Sequence, residues 1–389
     1  TGVQTCALPI LGASLPVAAA ADRLMVAWDQ CASSFDNAPV AATLEKVAGK
    51  WVLEALDLPR ESAVGFGTSA TACTLTCLTA ARRALLARSG WDFDRLGLIG
   101  APEIKVMISE TAHITVKKAL RIMGFGLDRL VVAPTDAAGR IDQERLPPIT
   151  ENMIICLQAG EVNGGEFDPF IPIIEKARAA RAWVHVDGAF GLWARACDRL
   201  SGLAKGVEGA DSWTTDGHKW LNTPYDGAMA ICRDAEALYE AMNSDAPYSM
   251  AEVDAQKNLT MEFSRRARGV PIWAALRTLG RDGLSRMIGR HHDMAKYLSD
   301  QLRTAGFNIL NDVVLNQVLV RGRNDAETIA LQAYVERSGE AWFGRTIWHG
   351  KPAFRLSVSS WRTELGDIDR LVGLLVRARN SVANNVEPV

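Results

Sequence analysis

Apolar residues recur at helical spacing between about residues 19 and 56, through Leu24, Met25 and Trp28 and then Leu44, Val47, Trp51, Val52 and Leu56. The segment Ser34-Phe35-Asp36-Asn37-Ala38-Pro39 interrupts that rhythm, so two helices are expected before any sheet. Residues 59–67 read as a loop, and Thr68-Ser69-Ala70-Thr71 offers capping hydroxyls to a long, mostly apolar helix reaching about residue 88. Beyond it come short continuous apolar runs at 105–109, 130–133, 153–157, 183–186 and 228–232, alternating with amphipathic stretches at 112–123, 170–180 and 271–290. Runs without polar alternation suit strands covered on both faces, and the alternation with helices predicts a largely parallel sheet. From about residue 291 the order changes to a helix up to 305, a strand over 313–320, a helix over 326–337, a strand over 353–359 and a last helix over 364–378. The expected division is a helical arm over 1–50, a large α/β domain over 51–290 and a small α+β domain over 291–389.

Composition narrows the function. With 389 residues, 48% apolar and 23% charged, the chain can bury a core large enough for two lobes. A formal net charge of −2 and the lack of any long Lys/Arg run argue against nucleic acid or a membrane surface as partner, and leave small-molecule chemistry. Seven scattered cysteines (Cys6, Cys31, Cys73, Cys77, Cys156, Cys197 and Cys232), with no Cys-x-x-Cys pair, predict reduced thiols, a cytoplasmic setting and no metal site. The uncharged stretch 6–21 is broken by Pro9 and Pro16 and has no basic residue before it, so it reads as an arm rather than a signal or a membrane span.

Two short pieces carry the chemistry. Ala182-Trp183-Val184-His185-Val186-Asp187-Gly188-Ala189-Phe190 reads as a buried strand delivering Asp187 at its C-terminal end. Asp211-Ser212-Trp213-Thr214-Thr215-Asp216-Gly217-His218-Lys219-Trp220 ends in a lysine among aromatic, histidine and glycine neighbours, where desolvation between His218 and Trp220 would favour the free amine. A strand-end carboxylate and such a lysine suit a pyridoxal phosphate ring, the acid at the pyridine nitrogen and the amine in a Schiff base. The alternative for Asp187, a metal ligand, finds no His/Cys/Asp partner at ligand spacing. Gly65-Phe66-Gly67-Thr68-Ser69-Ala70-Thr71 puts glycines, hydroxyls and free N–H groups at a helix start, a phosphate cradle or simply a capped helix. His113 follows a strand and opens a helix, either stacking on a ring or capping. In the Gly-rich segment 158–170, Asp168 reads as the N-cap of the next helix with Pro169 at its first position.

In this order the motifs resemble the group II pyridoxal-phosphate-dependent amino-acid decarboxylases, a likeness spanning about residues 45–375. The resemblance implies the type I (aspartate aminotransferase) fold: a mainly parallel sheet flanked by helices, with a small C-terminal domain. It implies that Ser69, Ala70 and Thr71 hold the phosphate with Asp216 and His218 beside it. His113 then stacks on the ring, Ala189 packs on the opposite face, Asp187 meets the ring nitrogen and Lys219 is the Schiff-base lysine. A loop tyrosine protonates Cα in these enzymes, and Tyr248, 29 residues after Lys219, matches that place. The likeness further implies a homodimer with active sites at the interface, and decarboxylation of an L-amino acid to the amine and CO2. An aldehyde synthase, another carbon–carbon lyase, an aminotransferase or a catalytically silent homologue on the same fold are the alternatives. Only 68 residues precede Ser69, a shorter arm than the family's, and Glu161 stands where relatives commonly carry an uncharged residue. Arg355 and Arg362 invite assignment as carboxylate anchors, but are read as structural.

Overall fold

The computed structural model describes residues 13–243 and 252–384; Tyr248 lies outside them. Seven strands form the large sheet: β1 (Ala63–Gly67), β2 (Lys105–Ser109), β3 (Val131–Ala133), β4 (Met153–Gln158), β5 (Trp183–Asp187), β6 (Ser212–Asp216) and β7 (Ala228–Cys232). Their order is β1-β7-β6-β5-β4-β2-β3. All run parallel except β7, which is antiparallel to both β1 and β6. Two expectations change here. The stretch expected as a loop contains an edge strand, because β7 supplies a backbone ladder that buries Val64 and Phe66 despite Gly65 between them and Gly67 after them. Residues 228–232 are likewise not a parallel strand but the reversed one that brings β1 alongside. Strand β6 escapes the apolar pattern because Ser212, Thr214 and Thr215 make it hydroxyl-rich, yet every residue of it is buried.

The helices are α1 (Pro16–Trp28), α2 (Pro39–Ala55), α3 (Ala70–Arg88), the single turn α4 (Phe93–Leu96), α5 (Ile114–Ile122), α6 (Phe170–Ala179), α7 (Ala235–Met242), α8 (Gly269–Thr304), α9 (Asp325–Ser338) and α10 (Leu365–Asn384). Proline opens α1 and α2, where a missing N–H costs nothing. Both pack on α8, and Trp51 stacks on Trp273 with ring centroids 6.3 Å apart. At the start of α8 Glu45 accepts from the Gly269 N–H and forms an ion pair with Arg265, both side chains sealed from solvent. Where two helices abutting near His291 were expected, α8 runs on; its backbone breaks instead at Gly280, whose φ of +59° only glycine adopts cheaply.

The small lobe is a four-stranded antiparallel sheet of β8 (Asn308–Ile309), β9 (Gln317–Arg321), β10 (Gly344–Trp348) and β11 (Lys351–Ser357), in the order β10-β11-β9-β8. Its core joins Leu298 and Leu302 of α8 to Val318, Phe354, Leu356, Leu371 and Leu375. A separate core under the large sheet is built around Trp193, Trp213 and Trp220. Among the described residues no helix is long and apolar enough to cross a membrane, and no group of His, Cys, Asp and Glu is set to hold a metal ion.

Candidate active site

The parallel strands deliver their C-terminal ends to one edge of the sheet, where open α/β sheets build sites. Asp187 at the end of β5 is registered between Gln158 of β4 and Thr214 of β6. Asp216 at the end of β6 and Gly67 at the end of β1 both face Ala228 of β7. At about 4.8 Å per strand, Gly67, two residues before the cap of α3, therefore lies about 10 Å along the edge from Asp216. Ser69 caps α3, its side chain accepting from the Ala72 N–H at 3.3 Å, so the first turn presents its remaining amides and the dipole's positive end.

Past β6 the chain makes a tight turn in which the Gly217 N–H donates to the Gly227 carbonyl at 2.8 Å. A Cβ on Gly217 would come within 2.7 Å of Thr223 Oγ1, which is why this position is glycine. The turn aims Lys219 back over the strand end, its Nζ 3.1 Å from Asp216 Oδ2. His218 Nε2 lies 3.6 Å from the same oxygen, and its ring stacks on Tyr225 at 4.0 Å. The other oxygen of Asp216, Oδ1, is buried and has no hydrogen-bond partner among the described residues. Burial holds the His218 imidazole below its ordinary pKa, against the pull of Asp216. The expected flanking of Lys219 by Trp220 is not found: the Trp220 indole turns into the core and donates to His291 Nδ1 at 2.9 Å. What borders the Lys219 amine is a carboxylate.

His113 is the N-cap of α5, its Nδ1 2.7 Å from Thr115 Oγ1, so the capping reading is true. It is a site residue as well. Burial lowers its pKa most; the charges of Asp187 and Asp216 raise it and those of Lys219 and Arg355 lower it, so these groups share one electrostatic neighbourhood. Asp187 Oδ1 accepts from the Ala189 N–H at 3.2 Å, which fixes the turn that follows β5.

Asp168 does not cap the next helix; Pro169 takes the N-cap position of α6. The Asp168 carboxylate instead accepts from the N–H groups of Gln158 and Ile141 at 2.7 and 2.8 Å, tying the end of β4 to a neighbouring loop, and burial pushes its pKa up to about 7. Glu161 folds back on its own turn, accepting from the N–H groups of Asn163 and Gly164 at 2.8 and 2.6 Å. Arg355 donates to the Val162 carbonyl at 2.9 Å and leaves its buried Nε unpartnered, whereas Arg362 lies over the Trp361 ring. Sequence reasoning passed over Tyr225, although it stands only six residues after Lys219, just past the stretch that carries that lysine.

A family model described as the pyridoxal-dependent decarboxylase conserved domain matches residues 1–322. An L-2,4-diaminobutyrate decarboxylase of Rhizobium meliloti (strain 1021) is 29% identical over 380 residues, covering 91% of this chain and 74% of the relative. Tryptophan decarboxylase 1 of Oryza sativa subsp. japonica is 27% identical over 384 residues, covering 88% of this chain and 74% of its own. In fold, the crystal structure of Oryza sativa TDC with PLP and tryptamine is similar with a TM-score of 0.89 at 24% identity, over 97% of this chain and 84% of that one.

Proposed function

The chain belongs to the pyridoxal-dependent decarboxylase family and is a pyridoxal-phosphate-dependent amino-acid decarboxylase, a carboxy-lyase, and on that premise we propose which residues do its work. When bound, pyridoxal phosphate supplies an electron sink for the pair left on Cα as CO2 departs. The residues at the sheet edge suit that group. They combine a primary amine, a strand-end carboxylate, the amide-rich start of a 19-residue helix, and a buried carboxylate oxygen, Asp216 Oδ1, that lacks a partner.

Lys219 is the amine that holds the cofactor. Asp187 keeps a proton at the ring nitrogen, where its negative charge stabilises the protonated form. His113, its pKa lowered chiefly by burial and its ring held by Thr115, would lie against one face of the ring, with Ala189 on the other. Ser69, Ala70 and Thr71 hold the phosphate through the first turn of α3, with Asp216 and His218 beside it. Tyr248, outside the described residues, returns a proton to Cα of the substrate. The observation that carries this reading is the 3.1 Å approach of Lys219 Nζ to Asp216 on the edge that also bears Asp187.

The enzyme works as a cytoplasmic homodimer with active sites at the interface, and residues 1–50 form an arm added to the large and small domains. Exposed Trp28, Phe35 and Val40 on that arm support a protein partner there. Amine profiling across the twenty amino acids with added cofactor tests the function. The expected outcome is an amine from one side-chain class and a visible absorbance band that Lys219→Ala removes. Tyr248→Phe is expected to divert product toward aldehyde. Keto acid or aldehyde without amine from the unaltered chain would overturn the proposed roles.

A further inference from the structure

Beneath Asp187 the face of the sheet is not apolar. Residues 183, 185 and 187 of β5 share one face by the two-residue period of a strand, as do 212, 214 and 216 of β6, and His185 is registered opposite Ser212. Helix α3 packs against both strands and contributes Thr74 and Cys77. The Trp183 indole Nε1–H donates to Ser212 Oγ at 3.0 Å. That oxygen lies 3.0 Å from His185 Nδ1, and His185 Nε2 lies 3.4 Å from Thr214 Oγ1. Thr74 Oγ1 reaches Thr214 Oγ1 at 3.3 Å. Cys77 meets the Thr214 hydroxyl, and its Sγ faces the carbonyls of Trp213 and Ile231 at 3.6 and 3.7 Å.

Both ends of this chain fix its direction. An indole only donates, so Ser212 receives there and gives its own proton to His185 Nδ1. The imidazole then carries its proton on Nε2 and donates to Thr214, whose hydroxyl turns to Cys77, and the thiol ends on a backbone carbonyl, which only accepts. The other tautomer would leave the Ser212 hydroxyl proton facing no acceptor among the described residues, at a position closed to water. Burial keeps the members uncharged: it pushes the His185 pKa down to about 4 and that of Cys77 up to about 12.

We propose that this one-way chain is the brace that sets Asp187 against the N-terminus of α3, with His185 as its central positioning residue. It joins the strands that present Asp187 and Asp216 to the helix whose first turn carries Ser69, Ala70 and Thr71. The inference rests on the assignment of Asp187 to the ring nitrogen and of the α3 start to the phosphate: the brace then sets the distance between the two ends of the cofactor. Apolar side chains would fill the same layer without specifying one register; a directional chain has a single arrangement in which each hydroxyl, ring nitrogen and thiol is satisfied.

Nitrogen-15 NMR of the histidines in the cofactor-free chain tests it first. His185 is expected as the neutral Nε2–H tautomer, without titration between about pH 5 and about pH 9. In the loaded enzyme, His185→Phe and Ser212→Ala are expected to raise the cofactor dissociation constant about tenfold and to move its visible band. His185→Asn, which keeps an acceptor toward Ser212, retains part of both. An Nδ1–H tautomer or a titrating His185 overturns the brace, and so do unchanged affinity and spectrum in both variants. Asp187→Asn, measured alongside, separates the failures. A shift there without one in the His185 and Ser212 variants sinks only the brace, whereas no shift in Asp187→Asn sinks the assignment beneath it. If His185→Phe does not fold, the smaller Ser212→Ala change decides.

Discussion

Among the described residues, the ion pairs Glu45–Arg265 and Lys219–Asp216 are built on opposite plans. Glu45 and Arg265 meet through two hydrogen bonds at 2.8 and 2.7 Å, the Glu45 carboxylate also accepts from the Gly269 N–H, and the guanidinium also donates to the carbonyls of Ala32 and Phe66. Lys219 and Asp216 meet through a single contact, Lys219 retains some exposure, and one Asp216 oxygen is left unsatisfied. The first pair leaves one group, the buried Arg265 Nε–H, without a partner among the described residues, and joins α2, the end of β1 and the start of α8 with both side chains sealed from solvent. The second leaves capacity open at the mouth of the sheet. A buried charge without full partners is costly, so its persistence marks a place arranged for something the chain alone does not contain.

The largest expected effect breaks the open pair. Lys219→Ala should lower decarboxylation by about a thousandfold or more, followed as CO2 release, because the residue acts in the reaction and not only beside it. If its activity survives while Arg265→Met is the inactive variant, the functional roles of the two pairs are reversed. Next comes the sealed pair: Arg265→Met strands Glu45 as an unpaired buried charge, and urea unfolding of the cofactor-free chain should show a loss of about 3–5 kcal/mol. Glu45→Leu added to it should restore part of that loss, since it removes the stranded charge but leaves the Gly269 N–H and the carbonyls of Ala32 and Phe66 without their side-chain partners.

Acid sharpens the contrast from the side of the open pair. Burial lowers the pKa of His113 and His218 around it, and lowers His185 to about 4 and His291 to about 3. Below the ordinary histidine value of about 6.5 the unfolded chain binds protons that the folded chain refuses, so stability present above that pH is lost as pH falls toward those lower values. Melting temperature measured downward from pH 7 should therefore fall, with cofactor retention falling alongside. Asp168, raised to about 7, works in the other direction: the stability it contributes is present below about pH 4 and lost as pH rises through 7. The smallest effect is expected at Asp168→Asn. It keeps one acceptor for two N–H groups, should cost about 1–2 kcal/mol in the same urea assay, and should flatten that second pH dependence.

The open pair was the more legible of the two in sequence. Lys219 and Asp216 stand three residues apart in one short stretch whose small and aromatic neighbours signal a turn against a strand end, and such local chemistry survives in a linear reading. Glu45 and Arg265 are 220 residues apart, and neither has a neighbour that points to the other. The same limit hid β1: Ala-Val-Gly-Phe-Gly becomes a strand only because β7 arrives beside it. Strand β6 was obscured by its hydroxyls, which now turn out to face a polar layer. Asp168 before a proline carries the signature of a helix cap, but the tertiary partners Gln158 and Ile141 claim its carboxylate instead.

The reversed strand β7 also has a consequence in time. Strand β1 is translated about 165 residues before β7 is complete, an interval of roughly ten to thirty seconds at ordinary rates of synthesis. Through that interval the nascent chain carries an edge strand without a neighbour and α2 with an unmatched glutamate, since Arg265 emerges later still. Until then the first third of this protein carries an unpaired strand edge, whose closure waits for the turn that carries Lys219.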